Sequence, residues 1–235
     1  MEDKKNIIYC YSFLFADGNS KNINIELDSE TLSLINKEET AFSWAELANR
    51  KCPNCSLNTK ENKYCPIAKN LTQVIEMFKD SISSTNVEIT ITSEERTYIK
   101  QTSLQRGLSS IIGVIMATSG CPIMDKLNPL ARYHLPLSNL DETRFRVTSM
   151  YLLAQFLRKE EGLKPDWELK GLDDLYSEIG ILNKFFSKRI SSAITKDASV
   201  NAVIILNCFT KFFSPSLTTD LLTDMHKSFH MYMQD

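Results

Sequence analysis

Four of the six cysteines in this 235-residue chain form a pattern that limits how its first half can fold. Two residues lie between Cys52 and Cys55, nine lie between Cys55 and Cys65, and Cys121 follows much further on. Three of the four, Cys52, Cys65 and Cys121, directly precede a proline. Because proline is favoured at the first position of a helix, each of these three is a candidate helix N-cap. We therefore expect a lowered pKa for these thiols, which favours the thiolate that binds metal.

Thiolates spaced as Cys52 and Cys55 are can bind the same ion, as in zinc knuckles. Adding Cys65 and Cys121 gives four sulfur ligands, which suit a tetrahedral zinc ion or an iron–sulfur cluster. The spacing does not separate the two cofactors, and zinc is only slightly favoured. The alternative is that Cys121 is a small buried residue and that three cysteines cluster without it. Cys10 and Cys208 are interpreted as core residues of a strand and of a buried helix.

Charge and hydropathy exclude several functional classes. The 27 basic and 29 acidic residues give a net charge of -2 and a pI of about 6.0, which argues against nucleic-acid or anionic-membrane binding. No apolar segment has the length of a membrane span, and the run 7–16 lacks a signal-peptide cleavage site. We interpret the chain as cytoplasmic. In that reducing compartment, clustered cysteines are more often metal ligands or catalytic thiols than disulfides.

Alternating apolar residues predict two β-hairpins in the first hundred residues. The first pairs 7–15 with 22–27 around the turn at Asp17-Gly18, and the second pairs 87–92 with 97–101. Between the hairpins lie Cys52, Cys55 and Cys65, followed by an amphipathic helix that begins at Pro66 and reaches Ile82. The stretch 30–50 is ambiguous.

Helical periodicity dominates the rest of the chain. The predicted helices cover 104–118, 141–161, 172–194, 197–213 and 218–233, with Asp197 as an N-cap. The fold class is therefore α+β, with an N-terminal antiparallel sheet of two hairpins that carries the cysteine knuckle, and a C-terminal helical bundle. The division is predicted as 1–103 and 104–235, with one continuous domain as the alternative.

Several blocks of this sequence resemble an uncharacterised bacterial family of unknown function. They are Cys-Pro-Asn-Cys at 52–55, Tyr-Cys-Pro-Ile-Ala at 64–68, Met-Ala-Thr-Ser-Gly-Cys-Pro at 116–122 and Ala-Arg-Tyr-His-Leu-Pro at 131–136. The resemblance covers nearly the whole chain. It implies that the four cysteines belong to the family pattern, and it implies no activity and no metal identity.

Other candidate sites have weaker support. A nucleophile pair of Cys121 with His134, helped by Asp125, is conceivable, although a structural loop histidine is the commoner case. His226 and His230 have a metal-binding spacing but no accompanying carboxylate motif. The arginines that flank a predicted helix start are more typical of a surface than of an anion pocket; they are Arg132, Arg144 and Arg146.

The sequence therefore predicts a metal-binding protein with four cysteine ligands, a regulatory or assembly role and an unidentified protein partner. The first alternative is an iron–sulfur protein in electron transfer or sensing. The second is a thiol enzyme that uses Cys121 and His134. We find no motif that favours an enzyme.

Overall fold

A four-stranded antiparallel sheet forms the N-terminal part of the computed structural model, which describes residues 5–35, 42–211 and 225–234. The strands are β1 (Ile7–Phe15), β2 (Ser20–Leu27), β3 (Asn86–Thr92) and β4 (Thr97–Ser103), in the order β2-β1-β3-β4. Both predicted hairpins are confirmed. They share one sheet because β1 also pairs with β3, which places Tyr11 between Ile23 and Ile91.

Alternation decides which side chains of β1 enter the core. Tyr9, Tyr11 and Phe13 are all at most 4% exposed and lie on one face. Cys10 lies on the opposite face and is exposed, so its interpretation as a core residue is wrong. The reason is the period of two along a strand, which puts neighbours of a buried residue on the other side of the sheet.

The predicted helix after Pro66 is two shorter helices, α1 (Pro66–Asn70) and α2 (Thr72–Phe78). They meet at Leu71, and the hydroxyl of Thr72 donates to the carbonyl of Ala68. Such bonds from a hydroxyl back to the preceding turn bend helices. The prediction that the amphipathic helix reaches Ile82 is wrong, since α2 ends at Phe78 and Ile82 is 51% exposed.

Helices predominate after the sheet in the described part of the chain. They are α3 (Leu104–Thr118), α4 (Pro129–Arg132), α5 (Leu140–Glu160), α6 (Lys170–Ile190) and α7 (Ala198–Thr210). Short 3-10 helices cover Ser43–Ala45, Met124–Leu127 and His230–Met233. The structure therefore has the predicted α+β class, with the sheet N-terminal and the helices mostly C-terminal.

The helical predictions differ from the structure in detail. Helix α6 ends at Ile190 instead of 194, and α7 is less buried than predicted, with Ile204 45% exposed and Cys208 exposed. Cys208 is therefore not a core residue. Asp197 does hold the N-cap position of α7, but its carboxylate accepts hydrogen bonds from the backbone N–H and hydroxyl of Ser83 instead.

Parts of two predicted helices lie outside the described residues. These are 212–213, the predicted end of α7, and 218–224, the predicted start of the last helix. Residues 225–228 are helical and are followed by the 3-10 helix His230–Met233. Most of the ambiguous stretch is irregular, and its residues 36–41 also lie outside the described part.

The buried side chains of the sheet and of the helices belong to the same apolar cluster, which includes Phe13, Ile89, Leu108, Phe186 and Val203. The predicted division at residue 103 stays a prediction. Among the described residues, no helix is both long and apolar enough to cross a membrane.

Helix α3 approaches the sheet closely at Gly107. A Cβ atom there would lie 2.7 Å from Cε1 of Phe13 and closer still to the side chain of Ile89. We expect Gly107→Ala to lower the free energy of unfolding by about 1–3 kcal/mol, because overpacking forces neighbours from their rotamers. Urea denaturation measures this change.

Gly113→Ala in the same helix is the matched control. Its nearest neighbour would be Cδ2 of Leu206 at 3.6 Å, an ordinary contact. Alanine in a helix interior is favoured over glycine by about 1 kcal/mol, so this variant should be neutral or more stable. Equal effects of the two substitutions would contradict the close approach at Gly107.

Candidate metal centre

The first pair of cysteines lies in a loop closed by a short antiparallel ribbon. Backbone hydrogen bonds from Leu47 to the carbonyl of Lys63 and from Cys65 to the carbonyl of Ala45 join its two sides, each 2.9 Å long. Within the loop, the N–H of Cys55 donates to the carbonyl of Cys52 at 3.1 Å. This turn keeps the two residues close. Residues 53–54 form a turn and no helix, so the prediction that Cys52 caps a helix is wrong.

Cys65 is the N-cap residue of α1, as its position before Pro66 predicts. Its backbone is extended, and the N–H groups of Ile67 and Ala68 are close enough to lower the pKa of its thiol, although no side-chain hydrogen bond caps the helix. The residue is 9% exposed. The first turn of a helix has N–H groups without partners in the helix, and here two of them lie near a thiol.

Cys121 has a similar environment at the end of α3. Gly120 has a φ of 78°, which turns the chain, and the N–H groups of Ile123 and Met124 are close enough to lower the pKa of the Cys121 thiol. The N-cap of the 3-10 helix Met124–Leu127 is Ile123, so Cys121 precedes that helix without capping it. Cys121 is 6% exposed.

The fold brings these four cysteines into one region. Cys52, Cys55 and Cys121 line a cavity of about 20 Å³ together with Leu182 and Phe186 of α6. Cys65 adjoins it, because its thiol interacts electrostatically with those of Cys52, Cys55 and Cys121. Cys55 and Cys121, which are 66 residues apart in the sequence, are therefore neighbours in the structure.

The thiols do not converge on one point. Among the described residues, no group of three or more His, Cys, Asp or Glu side chains is arranged so that it could hold a metal ion. Neutral thiols behave as small apolar groups and pack accordingly. Four thiolates repel one another, and drawing them to a common point requires a cation between them.

The pKa of these thiols moves in the direction opposite to the prediction. Burial raises the pKa of Cys52 to about 12, and burial is also the main cause that raises the pKa of Cys65 and of Cys121. The N–H groups at Cys65 and Cys121 lower the pKa, but desolvation of the charged form outweighs them. The expectation of a lowered pKa is therefore wrong for the three thiols.

A buried arginine lies beside the cysteines. Arg189 of α6 is 1% exposed, and its guanidinium donates to the carbonyls of Trp44, Glu46 and Leu47. No carboxylate among the described residues forms an ion pair with it, and the groups whose ionised form would favour its charge are three cysteines, Cys65, Cys52 and Cys55. Arg189 was not among the residues predicted from the sequence. Its spacing of seven from Leu182 and three from Phe186, both on the apolar stripe of α6, is the signal that could have identified it.

The cysteine loop is also attached to α6 by a polar contact. The amide of Asn54 donates to the carbonyl and to the carboxylate of Glu178, at 3.0 and 2.6 Å. Asn54 lies between Cys52 and Cys55, so α6 contacts the loop through this asparagine and through Arg189. Asn54 therefore joins the turn between these two cysteines to a distant helix.

His134 lies in a separate polar cluster. Its Nε2 is 2.6 Å from the hydroxyl of Tyr11 and 3.4 Å from that of Ser110, and its ring packs edge-on against Tyr9. Burial, with a smaller contribution from Arg146, lowers the pKa of His134 to about 3, so the ring is neutral and a weak base. In the described part of the chain no contact joins it to Cys121 or Asp125, and this geometry does not favour the nucleophile pair.

The remaining candidates are apart from the cysteines. His226 and His230 are exposed, and the helix that was to carry both is interrupted between them. Arg132 is exposed, whereas Arg146 is partly buried and its Nη2 donates to the carbonyls of Leu130 and Tyr133.

The fold and the cysteine region together define an α+β protein with four neighbouring cysteines, of which Cys65 and Cys121 are buried. The chain belongs to the family described as Domain of unknown function (DUF6901), whose model matches residues 7–230. This agrees with the resemblance to a family of unknown function. No curated protein and no solved structure matches the chain.

The raised thiol pKa values predict how stability depends on pH when no metal is present. An unfolded thiol ionises near its ordinary value of 9.0, whereas Cys52 in the folded protein remains protonated to about 12. The folded state therefore binds more protons, and its stability falls as pH rises above 9. We expect a loss of up to about 1 kcal/mol per thiol between pH 8 and 10, measured by urea unfolding with a chelator.

Cys52→Ser serves as the control, because serine does not ionise in this range. Its stability should change less than that of the unmodified chain between the same two pH values. Tyr11 and Tyr176 also have raised pKa values, but unfolded tyrosine ionises only near 10, so the lower part of the window reports on thiols. Stability that increases with pH would show that the thiols are ionised in the folded state.

Proposed function

We propose that this chain is a metal-binding protein in which Cys52, Cys55, Cys65 and Cys121 hold one zinc ion, with a regulatory or assembly role. The observation that carries the proposal is Arg189, a buried cation that interacts with Cys52, Cys55 and Cys65 and has no carboxylate partner among the described residues. Guanidinium does not lose its proton in proteins. An unpaired buried charge is costly by several kcal/mol, so the site requires a neighbouring negative charge.

Neutral thiols do not supply that charge, but a metal-bound set does. A coordinating thiol is deprotonated outright by the ion. Four thiolates with one divalent cation keep a net negative charge, which pairs with Arg189. The N–H groups that lower the pKa of Cys65 and Cys121 would stabilise the same charge, as outer hydrogen bonds do in metal sites.

The size of the cavity favours a single ion. Its volume of about 20 Å³ is close to the ~10–15 Å³ that one water-sized sphere requires. Thiolate ligands and tetrahedral coordination favour zinc for one such ion. An iron–sulfur cluster is the second candidate, supported by the N–H groups near the sulfurs, and it requires the loop to move outward.

Four protein ligands leave no open coordination position, which is typical of structural rather than catalytic zinc. The ion would then join the loop after the first hairpin to the end of α3 and to α6. An assembly role is supported by the outer face of α5, where five large apolar side chains are 36–58% exposed. They are Phe145, Leu152, Leu153, Phe156 and Leu157.

Metal content of single Cys→Ser variants tests the ligand set. We expect Cys52→Ser, Cys55→Ser, Cys65→Ser and Cys121→Ser each to lose most of the bound metal, because a three-sulfur site holds zinc much more weakly. Metal per chain is measured by elemental analysis after anaerobic purification. The absorption spectrum of the same samples distinguishes colourless zinc from a coloured iron–sulfur cluster.

Cys10→Ser and Cys208→Ser are the matched controls, since both residues are exposed and lie outside the cluster. They should retain metal at the level of the unmodified chain. If Cys121→Ser also retains it, the four-cysteine site is wrong. If protein purified from cells grown with added zinc and iron contains no bound metal, the proposal as a whole is contradicted.

Substitution of Arg189 tests the charge pairing. We expect Arg189→Met to weaken zinc binding about 10–100-fold, the usual effect of removing an outer partner of a metal site. Arg189→Lys keeps the charge and should bind zinc more tightly than Arg189→Met, although it loses part of the guanidinium hydrogen bonding. Competition with a chromophoric chelator gives both affinities.

Circular dichroism of each variant verifies that it is folded. Arg158→Gln, an exposed arginine on α5, controls for the loss of positive charge alone and should leave zinc affinity unchanged. Equal zinc affinity of folded Arg189→Met and unmodified protein would refute the role of Arg189 as the partner of the site.

A further inference from the structure

A second and larger cavity lies among the helices, separate from the cysteines. Its volume is about 270 Å³, and its wall combines residues of α3, α5, α6 and α7 with the segment between α4 and α5. None of the four clustered cysteines lines it. An engineered apolar cavity of ~150 Å³ accommodates benzene, so this one has room for a molecule roughly twice that size.

Most of the wall is apolar, as in typical ligand sites. Its aliphatic part includes Val114, Leu127, Val147, Ile179 and Leu206. Such a wall accommodates a hydrocarbon body and not a strongly polar ligand such as a sugar or a nucleotide. Specificity then depends on the few polar groups placed within the wall.

All of the charged side chains in the described wall are basic. They are Lys100, Arg106 and Arg146, and neither Asp nor Glu contributes to the lining. Lys100 and Arg106 are exposed, whereas Arg146 is partly buried. No carboxylate among the described residues forms an ion pair with Arg146, because Glu142, one turn away, is engaged in the capping box with Asn139. The cavity is therefore complementary to an anion.

Asn183 supplies a second polar group. Its side chain is 2% exposed and lines the cavity, yet its Oδ1 has no hydrogen-bond partner among the described residues. Buried polar atoms normally have a partner, and each exception requires an explanation. A ligand that carries a hydroxyl would provide one, since a hydroxyl both donates and accepts.

Helix α6 gives an approximate scale for the length of the ligand. Arg146 interacts electrostatically with Tyr176 on α6, and Asn183 lies seven residues further along the same helix. Seven residues of α-helix rise about 10 Å. A chain of about eight to ten carbons spans this distance, given carbon–carbon bonds of ~1.5 Å.

We propose that this cavity binds a medium-chain hydroxycarboxylic acid, with the carboxylate at Arg146, the hydrocarbon chain along the apolar wall and the hydroxyl at Asn183. The carboxylate would be bound through Nη1 of Arg146, because Nη2 already donates to the carbonyls of Leu130 and Tyr133. The volume suits a single free chain and excludes a two-chain lipid. The site is independent of the zinc proposal, because the two cavities share none of their lining residues.

Three probes that differ in one group each test the proposal by titration calorimetry on the full chain. 10-Hydroxydecanoate has both polar ends, decanoate lacks the hydroxyl, and 1,10-decanediol lacks the carboxylate. We expect one-to-one binding of 10-hydroxydecanoate, about fivefold weaker binding of decanoate and at least about tenfold weaker binding of the diol. Equal affinities for the three probes, or no binding at millimolar concentration, would overturn the proposal.

Two variants assign the ends of the ligand. Arg146→Gln should weaken the binding of both carboxylates about tenfold or more and leave the affinity for the diol unchanged. Asn183→Leu should remove the preference for 10-hydroxydecanoate over decanoate. Arg158→Gln, on the outer part of the same helix as Arg146, is the control and should bind all probes like the unmodified chain. If Arg146→Gln does not alter the affinity for the carboxylates, this site is wrong. If that variant fails to fold, the affinities of the unmodified chain for the three probes still test the proposal.

Discussion

Burial of one cation beside the cysteine loop determines how that loop meets α6. Arg189 comes from the end of α6, and the three carbonyls that accept its hydrogen bonds come from residues 44–47 at the start of the cysteine loop. A guanidinium with almost no access to water needs acceptors for its donors, and these carbonyls provide them. The loop therefore cannot shift along α6 without breaking these hydrogen bonds.

Helix α6 is the element common to both sites. Leu182, Phe186 and Arg189 face the cysteines, whereas Tyr176, Ile179 and Asn183 face the larger cavity. These sets lie on neighbouring stripes, because residues three, four and seven apart recur on one side of a helix. Each stripe carries one buried polar residue among apolar ones, an arginine towards the thiols and an asparagine towards the cavity. Apolar packing alone does not account for either residue.

Local sequence predicted much of the fold. Strict alternation identified both hairpins, since a strand with one buried face leaves a period-two pattern whatever it packs against. Helix α3 was predicted with its observed ends, because most of its residues are apolar and Gly120, with a positive φ, follows its end. The helix after Pro66 was predicted as continuous, since periodicity does not register a bend caused by a single hydroxyl at Thr72. Cys10 and Cys208 were misplaced because residue type alone does not specify the face on which a side chain lies.

The sequence by itself determined the elements and the identity of the four clustered cysteines, because strand alternation, helix caps and cysteine spacing are properties of neighbouring residues. Tertiary structure alone decided the proximity of Cys121 to Cys55, the raised thiol pKa values and the burial of Arg189. Proximity depends on how α3 and α6 pack, and a pKa depends on the balance between desolvation and hydrogen bonding at the final position. The anionic preference of the larger cavity likewise arises only when Lys100, Arg106 and Arg146, from three different elements, line one space.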